Sequence, residues 1–169
     1  HNLIIDCHLA YISAGAEVII TNNFSSRRIR MEQNKVNHLF EFANKKACEL
    51  AIKARERSNK EIFIGGSIPA QYDTYKEDIR EKNIIYKGFN EQVSCIKDYV
   101  DFFYLDVISS GREIDIASDV IDEYKKPILV GLHLNKKGKL PSGETITEVV
   151  KKYKHSSWVG TVSYTHLTL

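Results

Sequence analysis

The chain has 169 residues, of which 43% are hydrophobic and 27% are charged, as is ordinary for a globular protein. Its 24 basic and 22 acidic residues leave a net charge of +2, so the composition predicts neither a nucleic-acid partner nor binding to an anionic membrane surface. No apolar run reaches membrane-spanning length, and no signal-peptide pattern is visible in the sequence.

The first helix, strand and turn along the chain set a pattern that later segments repeat. Apolar or ring-bearing residues recur at helical spacing from Ile4 to Tyr11, and the helix is expected to stop at Gly15 in a left-handed turn. Val18–Ile20 is β-branched and apolar without alternation, which is typical of a strand covered on both faces. The polar residues Thr21, Asn22 and Asn23 then follow, with Phe24 next to them.

The middle of the chain continues with a long helix and a second strand. The helix carries an apolar stripe from Val36 to Ala54 and is expected to end at 58–59. Residues 62–64 form the next predicted strand, and Gly65, Gly66 and Ser67 form the turn after it. Paired glycines let a backbone approach a ligand closely or simply allow tight packing, and the sequence leaves both interpretations open.

The remaining elements follow in the same alternation. Residues 71–86 are predicted to form a loop with a short helix, and an apolar stripe from Phe89 to Val100 predicts a further helix. Later elements are a strand at 102–105 ending on Asp106, a helix at 114–124, a strand at 128–133, a helix opened by the capping box of Thr145 and Glu148, and a fifth strand beginning at 158–160.

Five strand–helix alternations without a hairpin signal predict parallel strands joined by right-handed crossovers. No G-x-G-x-x-G motif opens a helix, which disfavours a dinucleotide-binding doubly wound sheet. We therefore predict an α/β fold that forms a partial (β/α)8 TIM barrel, with about five central βα units. An open doubly wound sheet has the same local rhythm and is the alternative.

Three cysteines, Cys7, Cys48 and Cys95, lie far apart within predicted helices. No C-x-x-C pair is present, so the spacing predicts neither a disulfide framework nor a zinc knuckle. We predict buried free thiols in a reducing cytoplasm. His8, on the stripe of the first helix, is interpreted as a packed and hydrogen-bonded residue.

Ligands in parallel α/β folds bind at the carboxyl ends of the strands, so the polar residues there are the candidate site. Asp106 is the only carboxylate that ends a strand core, and three roles stay open for it, namely receiving a substrate ammonium group, acting as a base, or only capping the following helix. The asparagines at 22 and 23 are also residues that a turn favours. No lysine ends a strand, which argues against a Schiff-base aldolase, and no H-x-H or H-E-x-x-H motif predicts a metal site.

Several ordered segments resemble the zinc-dependent homocysteine S-methyltransferases. The segments are His8-x-x-Tyr11-Ile12-x-Ala14-Gly15-Ala16-Glu17, Thr21-Asn22-Asn23-Phe24, Gly66-Ser67-Ile68-Pro69, Val100-Asp101 with the strand to Asp106, Glu113, and Gly138-Lys139-Leu140-Pro141-Ser142-Gly143-Glu144. The resemblance implies a barrel in which zinc converts the homocysteine thiol to a thiolate, which attacks a methyl donor to give methionine.

The resemblance also implies roles for individual residues. Substrate binding would fall on Thr21, Asn22, Asn23, Phe24, Gly66, Ser67 and Asp106, with Asp106 receiving the ammonium group of homocysteine. The family usually has a glutamate at the position of Asp106. Its three zinc cysteines follow the sixth and eighth strands, so none of Cys7, Cys48 and Cys95 matches them, and we expect neither zinc ligands nor catalytic residues in this stretch.

The resemblance divides the chain into two parts. We expect residues 1–161 to be part of a homocysteine-binding barrel domain from a longer protein, and this piece alone to be inactive. Residues 162–169 are similar to the translation of a transposon adapter used in DNA library preparation, so we expect them to be a non-native tail. A non-catalytic small-molecule-binding barrel and a metal-free barrel lyase using Asp106 as a base are the alternative functions.

Overall fold

The computed structural model describes residues 1–153 and the backbone of the strand at 158–163. Helices and strands alternate along these residues. They are α1 (Asn2–Ser13), β1 (Val18–Ile20), α2 (Arg28–Gln33), α3 (Phe40–Ser58), β2 (Phe63–Pro69), α4 (Lys82–Ile96), β3 (Phe102–Ile108), α5 (Gly111–Ile121), β4 (Ile128–His133), α6 (Ile146–Lys152) and β5 (Trp158–Ser163). Short 3₁₀ helices at Asn37–Leu39 and Asp122–Tyr124 lie beside α3 and α5.

The five strands form one parallel sheet in sequential order, β1-β2-β3-β4-β5. Consecutive parallel strands that lie side by side require a helical crossover between each pair, and α3, α4, α5 and α6 supply these crossovers. The predicted α/β class and parallel strands are therefore confirmed. The predicted boundary between residues 161 and 162 falls inside β5, and residues 164–169 lie outside the described part of the chain.

The two faces of the sheet differ in burial. The face towards the helices carries the core, in which Ile64 and Phe103 are fully buried. The opposite face is more open, because Phe63 is 53% exposed and Val18 is 44% exposed. Within the described residues β1 is covered on one face only, contrary to the expectation, because Ile19 is buried whereas Val18 lies on the open face.

Helix α1 ends as the sequence predicts. Gly15 has φ +105°, and its N–H donates to the carbonyl of Ile12, while the N–H of Ala16 donates to that of Tyr11. These two bonds form a Schellman motif, which satisfies the last carbonyls of the helix and turns the chain into β1. The glycine is needed because L side chains rarely adopt this φ.

Several element boundaries differ from the prediction. Helix α3 starts at Phe40 rather than at Val36, because the backbone of Val36 is not helical and residues Asn37–Leu39 form a 3₁₀ turn instead. The sequence pattern missed α2 altogether, and α4 starts at Lys82 and ends at Ile96, before Val100. The apolar stripes thus predicted that α3 and α4 exist, but they did not predict where these helices begin and end, because the ends are set by turns that have no apolar pattern.

The glycines that were expected to follow the second strand lie inside it. Gly65, Gly66 and Ser67 pair in parallel with residues of β3. A Cβ atom at Gly65 would lie 2.5 Å from the ring of Phe102, and one at Gly66 would lie 2.7 Å from Ile96 Cδ1. These glycines therefore serve close packing on both faces of β2, and the turn comes after Pro69.

Strand β3 also extends beyond its expected end at Asp106, and it contains a β-bulge. The register steps from Leu105↔Val130 to Ile108↔Leu132, so β3 holds one more residue than β4 over this interval. Val107 takes φ +58°, which is uncommon for a β-branched residue. Because of the extra residue, Ile108 is fully buried in the core although Asp106, two positions earlier, faces the other side.

The close packing at Gly65 gives a first prediction. Gly65→Ala should destabilise the chain by about 1–3 kcal/mol, because the added methyl group overlaps the Phe102 ring and Ile20 Cδ1. Urea denaturation followed by circular dichroism measures this change. Adding Phe102→Leu to Gly65→Ala should recover part of the loss, and a single variant as stable as the wild type would contradict the packing account.

Candidate substrate-binding site

A cavity of about 550 Å³ lies between α1 and the edge of the sheet and opens onto the carboxyl ends of the first three strands. It is lined by five of the seven residues predicted to bind substrate, which are Thr21, Asn22, Phe24, Ser67 and Asp106. Residues from three separate elements, up to 85 positions apart in sequence, therefore share one cavity. This convergence follows from the parallel strands, whose ends meet at one edge of the sheet.

The other two predicted residues, Asn23 and Gly66, do not line the cavity. Asn23 is 1% exposed and turns into the protein, where its side-chain amide donates to the carbonyl of Ser67 at 3.0 Å. Gly66 faces the opposite side, towards Ile96 and Val100. Neither residue therefore reaches into the cavity, and both pack against the protein interior next to it.

Asp106 is the acidic group of the cavity. Its Oδ2 accepts a hydrogen bond from Ser67 Oγ at 3.0 Å. Burial raises the pKa of this carboxyl above its usual value, and the Ser67 hydrogen bond opposes the rise. A bound cation would favour the ionised form, so the geometry suits an ammonium group better than an anion.

A network of buried amides lies behind Ser67. Asn44 on α3 is fully buried and accepts a hydrogen bond from Asn23 Nδ2 at 2.8 Å, while Gln92 on α4 donates to Asn44 Oδ1 at 3.1 Å. The amide of Asn44 also donates to the carbonyls of Ser26 and Phe40. Sequence reasoning missed Asn44 and Gln92, although each interrupts the apolar stripe of its helix, and that interruption is the signal that points to them.

A second buried polar group lies at the start of α5. Glu113 is fully buried; its Oε2 accepts from Ser110 Oγ at 2.8 Å, and its Oε1 has no hydrogen-bond partner among the described residues. Burial raises the pKa of Glu113 to about 7, and the Ser110 bond opposes the rise.

Hydrogen bonds at the start of α5 join it to neighbouring loops. Arg112 donates to the carbonyls of Asp78 and Arg80, and Glu144 accepts from the Gly111 N–H. These hydrogen bonds attach the loop that contains Asp78 and Arg80, and the loop that contains Glu144, to the start of α5.

Helix α1 supplies the other wall of the cavity, with Ile4, Cys7, His8 and Tyr11. The expectation of three buried thiols is wrong for Cys7, which is exposed, and is met only in part by Cys95, which is half-buried. Cys48 is buried, and desolvation raises its pKa to about 12. His8 is packed as predicted, but its Nε2 has no hydrogen-bond partner in residues 1–153. Burial lowers the pKa of His8, which favours the neutral imidazole at neutral pH.

Neither a metal cluster nor a membrane span is present in the described part of the chain. No three His, Cys, Asp or Glu side chains there come close enough to hold a metal ion together. No helix there has both the length and the apolar character needed to cross a bilayer. The three cysteines, all free, lie on α1, α3 and α4.

Comparison with known proteins gives consistent matches. A family model described as homocysteine S-methyltransferase matches residues 1–164. The rat S-methylmethionine–homocysteine S-methyltransferase BHMT2 is 27% identical over 132 residues, which is 78% of this chain and 34% of that protein.

Solved structures of the homocysteine methyltransferase MmuM from Escherichia coli share the fold. The metallated form superposes with a TM-score of 0.85 at 21% identity, over 98% of this chain and 64% of that one. The apo form gives a TM-score of 0.75. The partial barrel is thereby confirmed, and the chain spans about a third of BHMT2 and somewhat less than two thirds of MmuM. With the family model matching nearly the whole chain, this protein belongs to the homocysteine S-methyltransferase family.

Proposed function

We propose that the protein to which this stretch belongs transfers a methyl group from a small-molecule donor to the thiol of homocysteine, giving methionine. One observation carries the proposal, namely that Asn22, Ser67 and Asp106 line one cavity at the carboxyl ends of three parallel strands. In a (β/α)8 barrel this rim is where the substrate binds. Membership of the family supplies the reaction class.

Different cavity residues bind different parts of the substrate amino acid. Asp106 receives the ammonium group, and the exposed amide of Asn22 is placed to donate to the carboxylate. Phe24, which is half-buried, lies against the aliphatic part of the substrate. These residues bind and orient homocysteine, so that its sulfur meets the donor in a fixed position.

The donor we propose is a sulfonium compound such as S-methylmethionine, the compound in the name of the rat relative. The sulfur of homocysteine forms a bond to the methyl carbon, the bond between that carbon and the sulfonium sulfur breaks, and its electron pair stays on the donor. The thiol loses its proton, and with this donor both products are methionine. We place the reaction in the cytoplasm, which the free cysteines support.

Zinc is the metal that the family resemblance implies for activation of the thiol. The described residues do not fit it, because no cluster of three possible ligands is present among them and the cysteines lie on separate helices. We therefore derive no step through zinc from this stretch. We assign to it the binding of the substrate amino acid.

A methyl-transfer assay on the whole protein tests the proposal. With L-homocysteine and S-methylmethionine we expect methionine to form, and the reaction to stop when a chelator removes the metal. Binding of homocysteine without turnover would favour a non-catalytic binding barrel. If the protein turned over another small molecule, and this activity persisted in the presence of the chelator, the metal-free lyase would be favoured. Either result would overturn the proposal.

A further inference from the structure

Every polar group of Ser67 is engaged. Its N–H donates to Thr21 Oγ1 at 2.9 Å, its carbonyl accepts from Asn23 Nδ2 at 3.0 Å, and its hydroxyl donates to Asp106 Oδ2 at 3.0 Å. Ser67 is 1% exposed, so water does not compete for these bonds. Ser67 is thus bound to Thr21 and Asn23 through its backbone and to Asp106 through its side chain.

The residues that hold Ser67 are themselves bonded to each other and to α3. The hydroxyl of Thr21 donates to Asn23 Oδ1 at 2.7 Å, and Asn23 Nδ2 donates to Asn44 Oδ1 at 2.8 Å. Asn44 is fixed by its two bonds to backbone carbonyls, each 2.9 Å long. We name Thr21, Asn23 and Asn44 the relay. All three side chains are at least 98% buried.

We propose that the relay fixes Ser67 so that its hydroxyl binds Oδ2 of Asp106 and leaves Oδ1 for the ammonium group of the substrate. Oδ1 makes no hydrogen bond to the described residues, and Asp106 borders the cavity. Thr21, Asn23 and Asn44 are then positioning residues that act through Ser67, whereas sequence reasoning placed the first two in contact with substrate. The identity of the cation rests on the proposed function, but the orientation of the carboxylate does not.

The hydrogen bond from Ser67 favours the ionised form of Asp106, so the relay should be visible in how this acid titrates. Few other groups face the acid. The turn after β1 presents the neutral Asn22, and strand β2 presents Ser67. Helix α1 lies across the cavity from Asp106 and carries the titratable side chains of Cys7, His8 and Tyr11. His133 ends β4, the strand next to β3. No other Asp or Glu and no Lys or Arg is among the residues that line the cavity.

The test is an NMR titration of the Asp106 carboxyl carbon in the chain without ligand. Thr21→Val removes the hydroxyl at nearly constant shape, and Ser67→Ala removes the final bond. We expect both to move the Asp106 midpoint upward by similar amounts. Thr21→Ser, which keeps a hydroxyl, should restore the wild-type midpoint, and Ser118→Ala, which deletes a hydrogen bond on α5, should leave it unchanged. A shift with Ser67→Ala but none with folded Thr21→Val would overturn the proposal.

A measurement on the wild type covers the case in which Thr21→Val does not fold. The side-chain amide resonances of Asn23 should titrate with the midpoint of Asp106, since Asn23 binds the carbonyl of Ser67 and the hydroxyl of Ser67 binds Asp106. Independent behaviour of these resonances would contradict the relay.

In the methyl-transfer assay, Thr21→Val should raise the KM for homocysteine with kcat nearly unchanged. Absence of methyl transfer in the wild type would overturn the proposed function and leave the titration result standing.

Discussion

Asp106→Asn in the whole protein should lower kcat/KM for homocysteine by about 100-fold, mostly through KM. The substitution keeps the shape of the side chain but replaces its charge, and a charge-assisted hydrogen bond in a buried site contributes about 1.5–3 kcal/mol. The acid of this site is partly buried and its pKa is raised. Affinity for the ammonium group should therefore also fall in the wild type as the pH drops through that raised pKa. Steady-state kinetics at several pH values measures both effects.

Two controls separate this role from a structural one. 4-Sulfanylbutanoate is homocysteine without its amino group, and it should bind the wild type and Asp106→Asn equally well. Asp106→Glu, which installs the residue usual in the family, should retain activity within about tenfold, since the charge is kept. An unchanged KM in Asp106→Asn would remove the acid from substrate binding.

Glu113→Gln should stabilise the chain at pH 8 by about 3 kcal/mol. In the folded protein the pKa of Glu113 is about 7, against an ordinary value of 4.5. Because the folded state holds the proton more tightly, stability falls as the pH rises from about 4.5 to about 7 and levels off above that. The amide has no proton to lose, so the variant should show little of this decline, and near pH 4.5 the two proteins should differ little.

Urea denaturation between pH 4.5 and pH 8.5 tests this expectation. Glu148→Gln is a control of opposite sign, because the capping box of α6 lowers the pKa of Glu148 and its charge is stabilising above that pKa. A wild-type stability that does not change between pH 5 and pH 8 would show that Glu113 does not titrate there.

Local signals in the sequence predicted the elements that depend on neighbouring residues. The strand Ile128–His133 has its expected bounds, the capping box of Thr145 and Glu148 opens α6, and Gly15 ends α1 in a left-handed turn. Each of these depends on chemistry within a few positions along the chain. The alternation of helices and strands then predicted the parallel sheet, and with it the shared edge at which the polar residues after separate strands meet.

What the sequence did not reveal depends on partners far away. Asn23 looks like a turn residue, yet its amide binds Asn44, 21 positions later, and a carbonyl 44 positions later. Gly66 looks like part of a turn, yet it makes room for Ile96 on α4. Glu113 was recognised only as part of a family segment, and its burial follows from two loops that meet over α5. Pair contacts of this kind are set by the tertiary fold.

The bulge at Val107 has a consequence for how this strand can vary. Asp106 and Ile108 need opposite sides of the sheet, and only the extra residue between them allows it. Shortening the strand here by one amino acid would force the protein to give up either its acid or part of its hydrophobic interior. Length, more than residue identity, is therefore the property of this segment that evolution is least free to alter.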